Sequence, residues 1–106
     1  MKSFTVEEQD AARGAAEWIE FQRSEDLSTG LYVLDVGAVD GQEPHSEDEI
    51  YVYMTGRATL RTPSGEVAVR PGSVLFVAAH EEHRFVDVTE ELRLVVVFGP
   101  AEGTRG

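Results

Sequence analysis

Apolar and polar residues alternate along most of the chain after residue 17, which is the pattern of β-strands. Ile19 and Phe21 fall on one face of an extended chain, and Trp18 and Glu20 fall on the other. A repeat of two residues is typical of strands, because successive side chains point to opposite faces. Turn residues divide the remainder into strands expected at 31–36, 49–54, 57–61, 66–69, 74–77, 83–88 and 92–98. So many short strands predict a sandwich or a barrel.

The first 17 residues carry a different signal, that of a short α-helix. Thr5 is a suitable N-cap, and Glu8 follows three residues later, as in a capping box. Gly14 should weaken or end the helix, because glycine is a poor helix former. With 106 residues the chain is expected to form one domain. We expect a helical segment at 1–17, a β-barrel at 18–98 and a frayed, glycine-rich tail at 99–106.

The charge of the chain narrows its expected partners. The formal net charge is -11, which repels phosphate backbones and anionic headgroups, so we expect neither nucleic acid nor membrane as a partner. Apolar runs such as residues 94–98 are only long enough for a strand. The chain has no cysteine, which excludes disulfides, thiolate ligands and cysteine nucleophiles. Since the N-terminus lacks the apolar stretch of a secretory signal, we expect a cytoplasmic protein.

Candidate chemistry is concentrated between residues 43 and 53, with one further histidine at position 83. Five side chains of equal parity would share one face if this stretch is extended: Glu43, His45, Glu49, Tyr51 and Tyr53. A His and a Glu separated by three residues, with His83 from another strand, can form a site of two histidines and one carboxylate. Such a site suits a divalent ion of Fe, Mn, Zn, Ni, Co or Cu, and its open positions admit substrate, water or dioxygen.

Two spaced motifs resemble those of the cupin family. The stretch Gly37-(X)5-Glu43-X-His45-(X)3-Glu49-(X)6-Gly56 is similar to the first cupin motif, Gly-(X)5-His-X-His-(X)3,4-Glu-(X)6-Gly. The stretch Gly72-(X)5-Ala78-X-His80-(X)2-His83-(X)3-Asp87 is similar to the second, Gly-(X)5-Pro-X-Gly-(X)2-His-(X)3-Asn. Every spacing matches, and with the flanking strands the resemblance covers residues 18–98. It implies an all-β fold, the cupin-type double-stranded β-helix or jelly-roll barrel, here with a short N-terminal α-helix.

The resemblance also implies a metal site. His45, Glu49 and His83 match ligands of the family, which hold one divalent metal ion. Glu43 stands where the pattern has a histidine, so it is either a fourth ligand with a different donor or a general base beside the metal. If Glu43 turns away, Gln42 or water fills the fourth position. His80 replaces a turn glycine, and it is expected to serve the turn rather than the metal.

Two classes of function follow from the resemblance. The first is a metalloenzyme that acts on a small organic substrate as a dioxygenase, isomerase, cyclase or decarboxylase. Tyr51 and Tyr53 would line its pocket and hydrogen-bond the substrate, or else pack in the inner wall. The second is a non-catalytic ligand-binding or accessory cupin, in which the metal is structural or absent. In either class we expect a homodimer. The acidic pairs at 47–48 and 81–82 are expected to be solvated charges at the barrel mouth, where they favour a neutral or cationic substrate.

Overall fold

The computed structural model describes residues 1–41 and 44–104. It is mostly β-sheet with one short N-terminal helix, as the sequence predicts. The elements are α1 (Val6–Arg13), β1 (Trp18–Arg23), β2 (Ser28–Leu34), β3 (Asp48–Thr62), β4 (Gly65–Val69), β5 (Val74–Val77) and β6 (Arg84–Gly99).

Helix α1 begins and ends where the sequence predicts. The Thr5 side chain accepts a hydrogen bond from the backbone N–H of Glu8 at 3.1 Å. Gly14 ends the helix with φ 61° and ψ -119°, a backbone conformation that glycine adopts without steric cost. No residue of α1 is buried. An ion pair from Asp10 Oδ2 to Arg93 Nη2, 3.0 Å long, ties the helix to β6.

The strands form one six-stranded sheet in the order β1-β2-β6-β3-β4, and β5 also pairs with β3. The sheet folds upon itself but does not close, since β1 and β4 lie at its two ends. All strand pairings among the described residues are antiparallel. The architecture is therefore a sheet folded upon itself with open edges rather than a sealed barrel, in keeping with the jelly roll that the motifs imply.

Two pairs of predicted strands are each one long strand in the structure. Residues 49–54 and 57–61 both lie in β3, and residues 83–88 and 92–98 fall almost entirely in β6. The pairing of β3 with β6 shifts register three times between Tyr53 and Thr59. Gly56 lies at this bend with φ 94°, and a Cβ there would overlap the backbone oxygen of Glu91. The sequence marks this position as a strand end, but the glycine bends a strand that continues.

Strand β2 begins earlier than the strand expected at 31–36. β2 begins at Ser28, which pairs with Arg23, and the backbone N–H of Ser24 donates to Leu27 O at 2.8 Å. The turn therefore ends before Gly30, which lies inside β2 opposite Glu20. A Cβ on Gly30 would overlap the indole ring of Trp18, so this glycine makes room for the only tryptophan of the chain.

The inner face of the folded sheet carries the core. Tyr51 and Tyr53 of β3 are fully buried, and both rings pack against Phe85 of β6 at centroid distances of 5.6 and 5.9 Å. The predicted shared face is confirmed for those of its residues that lie within β3. The opposite face is more open, because Ile50 and Met54 are 36% and 42% exposed.

The segment after β6 packs against the sheet as far as it is described. Ala101 is fully buried, and the backbone N–H of Glu102 donates to Ser28 Oγ at 2.9 Å. The Arg23 guanidinium donates to the backbone oxygen of Glu102 at 2.7 Å. Residues 101 and 102 of the expected tail are thus held against the sheet. Among the described residues, no helix has the length and apolar character needed to cross a membrane.

Candidate metal centre

Three side chains that the motifs single out converge between the halves of the sheet. Glu49 is the second residue of β3, His45 lies in the loop before it, and His83 immediately precedes β6. His45 Nε2 lies 3.9 Å from Glu49 Oε1, and His83 Nε2 lies 3.4 Å from Glu49 Oε2. One ligand atom from each residue lies within 4.8 Å of the other two. The predicted convergence is thus confirmed, and a single cation could contact all three.

The two imidazoles present the same nitrogen to Glu49. His83 Nδ1 is 2.8 Å from the backbone oxygen of Glu81, an acceptor, so this nitrogen carries the ring proton. His45 Nδ1 is 3.6 Å from Glu102 Oε2. Both Nε2 atoms are buried and have no hydrogen-bond partner among the described residues. Metal-bound histidines characteristically direct one nitrogen to the ion and the other to a carboxylate or carbonyl. The donor set therefore fits a divalent metal ion.

A tight turn holds the His45 loop in place. The backbone N–H of His80 donates to His45 O at 2.6 Å, and that of Ala79 donates to Asp48 Oδ1 at 2.9 Å. His80 has φ 66°, a left-handed conformation that histidine tolerates better than most residues. The imidazole of His80 is outside the three-residue cluster. The prediction of a turn role for His80 agrees with these contacts.

Asp40 anchors the same loop to the core from the other side. It is 1% exposed, and its two carboxylate oxygens accept from the Tyr32 hydroxyl at 3.1 Å and the Phe85 N–H at 2.9 Å. A carboxylate buried in this way is stabilised by the donors it faces. The loop that carries His45 is thus fixed at Asp40 and again at Asp48.

Burial makes the site electrostatically unusual. It raises the pKa of Glu49 from 4.5 to about 8; the hydrogen bond from Tyr51 opposes the rise, and Glu102, Glu47 and Asp40 add to it. Burial also lowers the pKa of His45, and the neighbouring His83 lowers it further. Without a cation, the structure therefore favours neutral forms of both groups. A bound divalent ion would reverse this preference by stabilising the Glu49 carboxylate.

The acidic residues around the site are not all solvated. Glu47 is 1% exposed and accepts from the Ser46 hydroxyl at 3.0 Å, so the expectation of a solvated charge is wrong for this residue. Asp48 and Glu82 are exposed, as expected. The sequence could not distinguish Glu47 from Asp48, because the loop before β3 is not extended and parity does not apply to it.

The two tyrosines predicted to line the pocket lie deep beside Glu49. The Tyr51 hydroxyl donates to Glu49 Oε1 at 3.0 Å. The Tyr53 hydroxyl is buried without a hydrogen-bond partner among the described residues. Burial and the Glu49 charge raise the pKa of both hydroxyls well above the ordinary value of tyrosine, so both are protonated donors. Glu43 and Gln42, the candidates for the fourth position, lie outside the described residues.

Glu102 is the site residue that the sequence does not reveal. It follows β6 in the segment expected to fray, and its carboxylate faces His45 Nδ1. Its pKa is raised by burial and then by Glu20 and Glu47, while Arg23 lowers it. No motif signals it, since its position depends on the pairing of β2 with β6.

A cavity of about 180 Å³ adjoins His45. Its lining residues are Trp18, Tyr32, His45, Val96, Phe98 and Glu102. Most of this wall is apolar or aromatic, and Glu102 supplies its carboxylate. The site thus combines a cluster of potential metal ligands with an adjacent space for a small molecule, an arrangement suited to binding an organic ligand beside a metal.

Two solved structures share this fold. BH2720 from Bacillus halodurans aligns with a TM-score of 0.77 at 19% identity, over 93% of this chain and 82% of that one. DMSP lyase DddQ from Ruegeria pomeroyi aligns with a TM-score of 0.67 at 18% identity, over 72% of this chain and 39% of that one. At these identities the likeness shows the fold alone.

The sequence comparisons are more specific. The uncharacterized protein SCO3923 of Streptomyces coelicolor is 40% identical over 104 residues, covering 96% of this chain and 99% of that protein. The profile of the cupin domain matches residues 30–98, which include both motifs. The chain therefore belongs to the cupin family.

Proposed function

We propose that this cupin binds one divalent metal ion through His45, Glu49 and His83. The observation that carries the proposal is a pair of buried Nε2 atoms that face the Glu49 carboxylate and have no hydrogen-bond partner in the described part of the chain. Two imidazoles and a carboxylate suit Fe, Mn, Zn, Ni, Co or Cu. Glu43 remains our candidate for a fourth ligand or a nearby general base, on motif position alone.

We further propose that the metal serves catalysis on a small organic molecule bound in the adjacent cavity. When bound, the metal would polarise an oxygen of the substrate. In this chain Tyr51 would orient Glu49 through its hydrogen bond, and the protonated Tyr53 hydroxyl would supply a buried donor. One protein of similar fold is a lyase, so the fold is compatible with catalysis, although fold does not fix the reaction.

Metal analysis of the purified protein tests the first proposal. We expect about one equivalent of a divalent ion in the wild type and a large loss in His83→Ala. His80→Asn is the matched control, because it removes the third imidazole but keeps a residue that tolerates positive φ. Circular dichroism would verify that both variants fold. Equal metal content in the wild type and the two variants would contradict the assignment.

The alternative is an accessory or ligand-binding dimer, and one surface favours a dimer whichever function holds. Ile50 pairs with Phe76 and Val52 pairs with Val74 on the outer face of β3 and β5. Phe76 and Val74 are 59% and 60% exposed, and contiguous exposed apolar side chains often mark an interface. We propose a homodimer through this face. Light scattering should give twice the monomer mass for the wild type and the monomer mass for Phe76→Glu; a monomeric wild type would refute it.

A further inference from the structure

The walls of the cavity beside His45 are three aromatic rings set at steep angles. The Trp18 ring meets Tyr32 at 63° and Phe98 at 83°, with centroids 6.5 and 6.0 Å apart. Rings that meet edge to face enclose a space instead of stacking across it. Because Gly30 leaves room for the indole, Trp18 can reach this wall from the edge strand β1.

The charge around the cavity is strongly negative. Glu102 lines it directly, and Glu47, Asp40 and Glu102 all act electrostatically on the nearby Glu49. The Arg23 guanidinium donates to the Glu20 carboxylate and the Glu102 backbone oxygen and does not line the cavity. A divalent ion at the proposed metal site would offset only two of the four carboxylate charges.

We infer that this cavity binds a small organic cation of the quaternary ammonium or sulfonium type. Aromatic faces attract a cation through their quadrupoles, and they do so most strongly where water is excluded. The Glu102 carboxylate adds a direct opposite charge. The same carboxylates would repel an anionic ligand, and they would not attract a neutral ligand by charge.

The volume limits the size of the ligand. A cavity of roughly 150 Å³ accommodates benzene, with its six heavy atoms, so about 180 Å³ admits about seven. The inference therefore excludes nucleotides and sugars as ligands held entirely within the cavity. The inference rests on the proposed function for the metal beside the ligand. To that function it adds the chemical class of the ligand in the cavity.

Choline and 3,3-dimethylbutan-1-ol provide a matched pair of probes. They have the same shape and the same number of heavy atoms, but only choline is charged. Trp18 is the only tryptophan, so its fluorescence reports binding at the cavity wall, and calorimetry gives the affinity. We expect choline to bind about tenfold more tightly than the alcohol. Glu102→Gln should reduce that preference several-fold, whereas Glu90→Gln, at an exposed carboxylate paired with Arg57, should leave it unchanged.

Equal affinity for the two probes would overturn the inference, and so would the absence of binding by either. Each titration would be run on metal-free and Zn²⁺-loaded protein, with zinc binding measured in the same samples. Zinc binding without preference for choline would defeat this inference and leave the metal proposal standing. Preference for choline without zinc binding would support this inference and contradict the metal proposal.

Discussion

Replacing Glu49 by glutamine should stabilise the metal-free protein at neutral pH. The buried carboxyl has its pKa raised from 4.5 to about 8. Because the folded-state pKa is the higher one, the group is neutral in both states below about pH 4.5. As the pH rises from there through about 8, ionisation in the unfolded chain lowers the free energy of unfolding. At pH 7 this cost is on the order of 3 kcal/mol. Glutamine does not titrate, and its oxygen can still accept from Tyr51.

Urea unfolding in the presence of a chelator, between pH 4.5 and 8.5, measures this effect. We expect Glu49→Gln to match the wild type near pH 4.5 and to exceed it increasingly toward pH 8. Metal should invert the order at about 1,000 times its Kd, since it then stabilises the folded wild type by about 4.1 kcal/mol, which exceeds the cost at pH 7, and the variant has lost a ligand. Glu90→Gln should retain the wild-type pH dependence. Parallel pH profiles for wild type and Glu49→Gln would refute the reasoning.

Three further predictions concern residues around the site. Gly30→Ala should cost about 1–3 kcal/mol through overpacking against Trp18, with a shift of the tryptophan emission; unchanged emission and stability would contradict the overlap. Glu102→Ala should weaken metal binding about 10- to 100-fold in calorimetry, because His45 loses the carboxylate that faces Nδ1, and an unchanged affinity would show that Glu102 does not position the ring. Asp40→Asn should lower the free energy of unfolding by about 1–3 kcal/mol, since an amide nitrogen would face a hydrogen-bond donor; a denaturation midpoint equal to that of the wild type would exclude this role.

The sequence predicts those parts of the site that depend on spacing within a strand. Glu49, Tyr51 and Tyr53 share the buried face of β3 because side chains alternate. The motif spacing also predicted that His45 and His83 lie close to Glu49, which the structure confirms. That these three bind a metal stays a prediction.

Features that depend on contacts between distant segments could not be predicted from the sequence. Trp18, Tyr32 and Glu102 meet at the cavity only because β1, β2 and β6 pair. Similarly, Gly56 reads as a strand end, yet the ladder between β3 and β6 continues past it. In both cases long-range pairing overrides the local signal.

The bend at Gly56 has a consequence for the order of folding. β3 pairs with β6 from Arg61 opposite Arg84 to Asp48 opposite Gly99, so the partners' separation along the chain grows from 23 to 51 residues. His83 lies next to the end of this ladder with the shorter separation, and Glu49 lies near the end with the longer one. The two residues come together only when the sheet folds at the bend. We therefore expect the site to form late, after the slow long-range pairing. A bound ion should slow unfolding without accelerating folding, as an interaction absent from the transition state does.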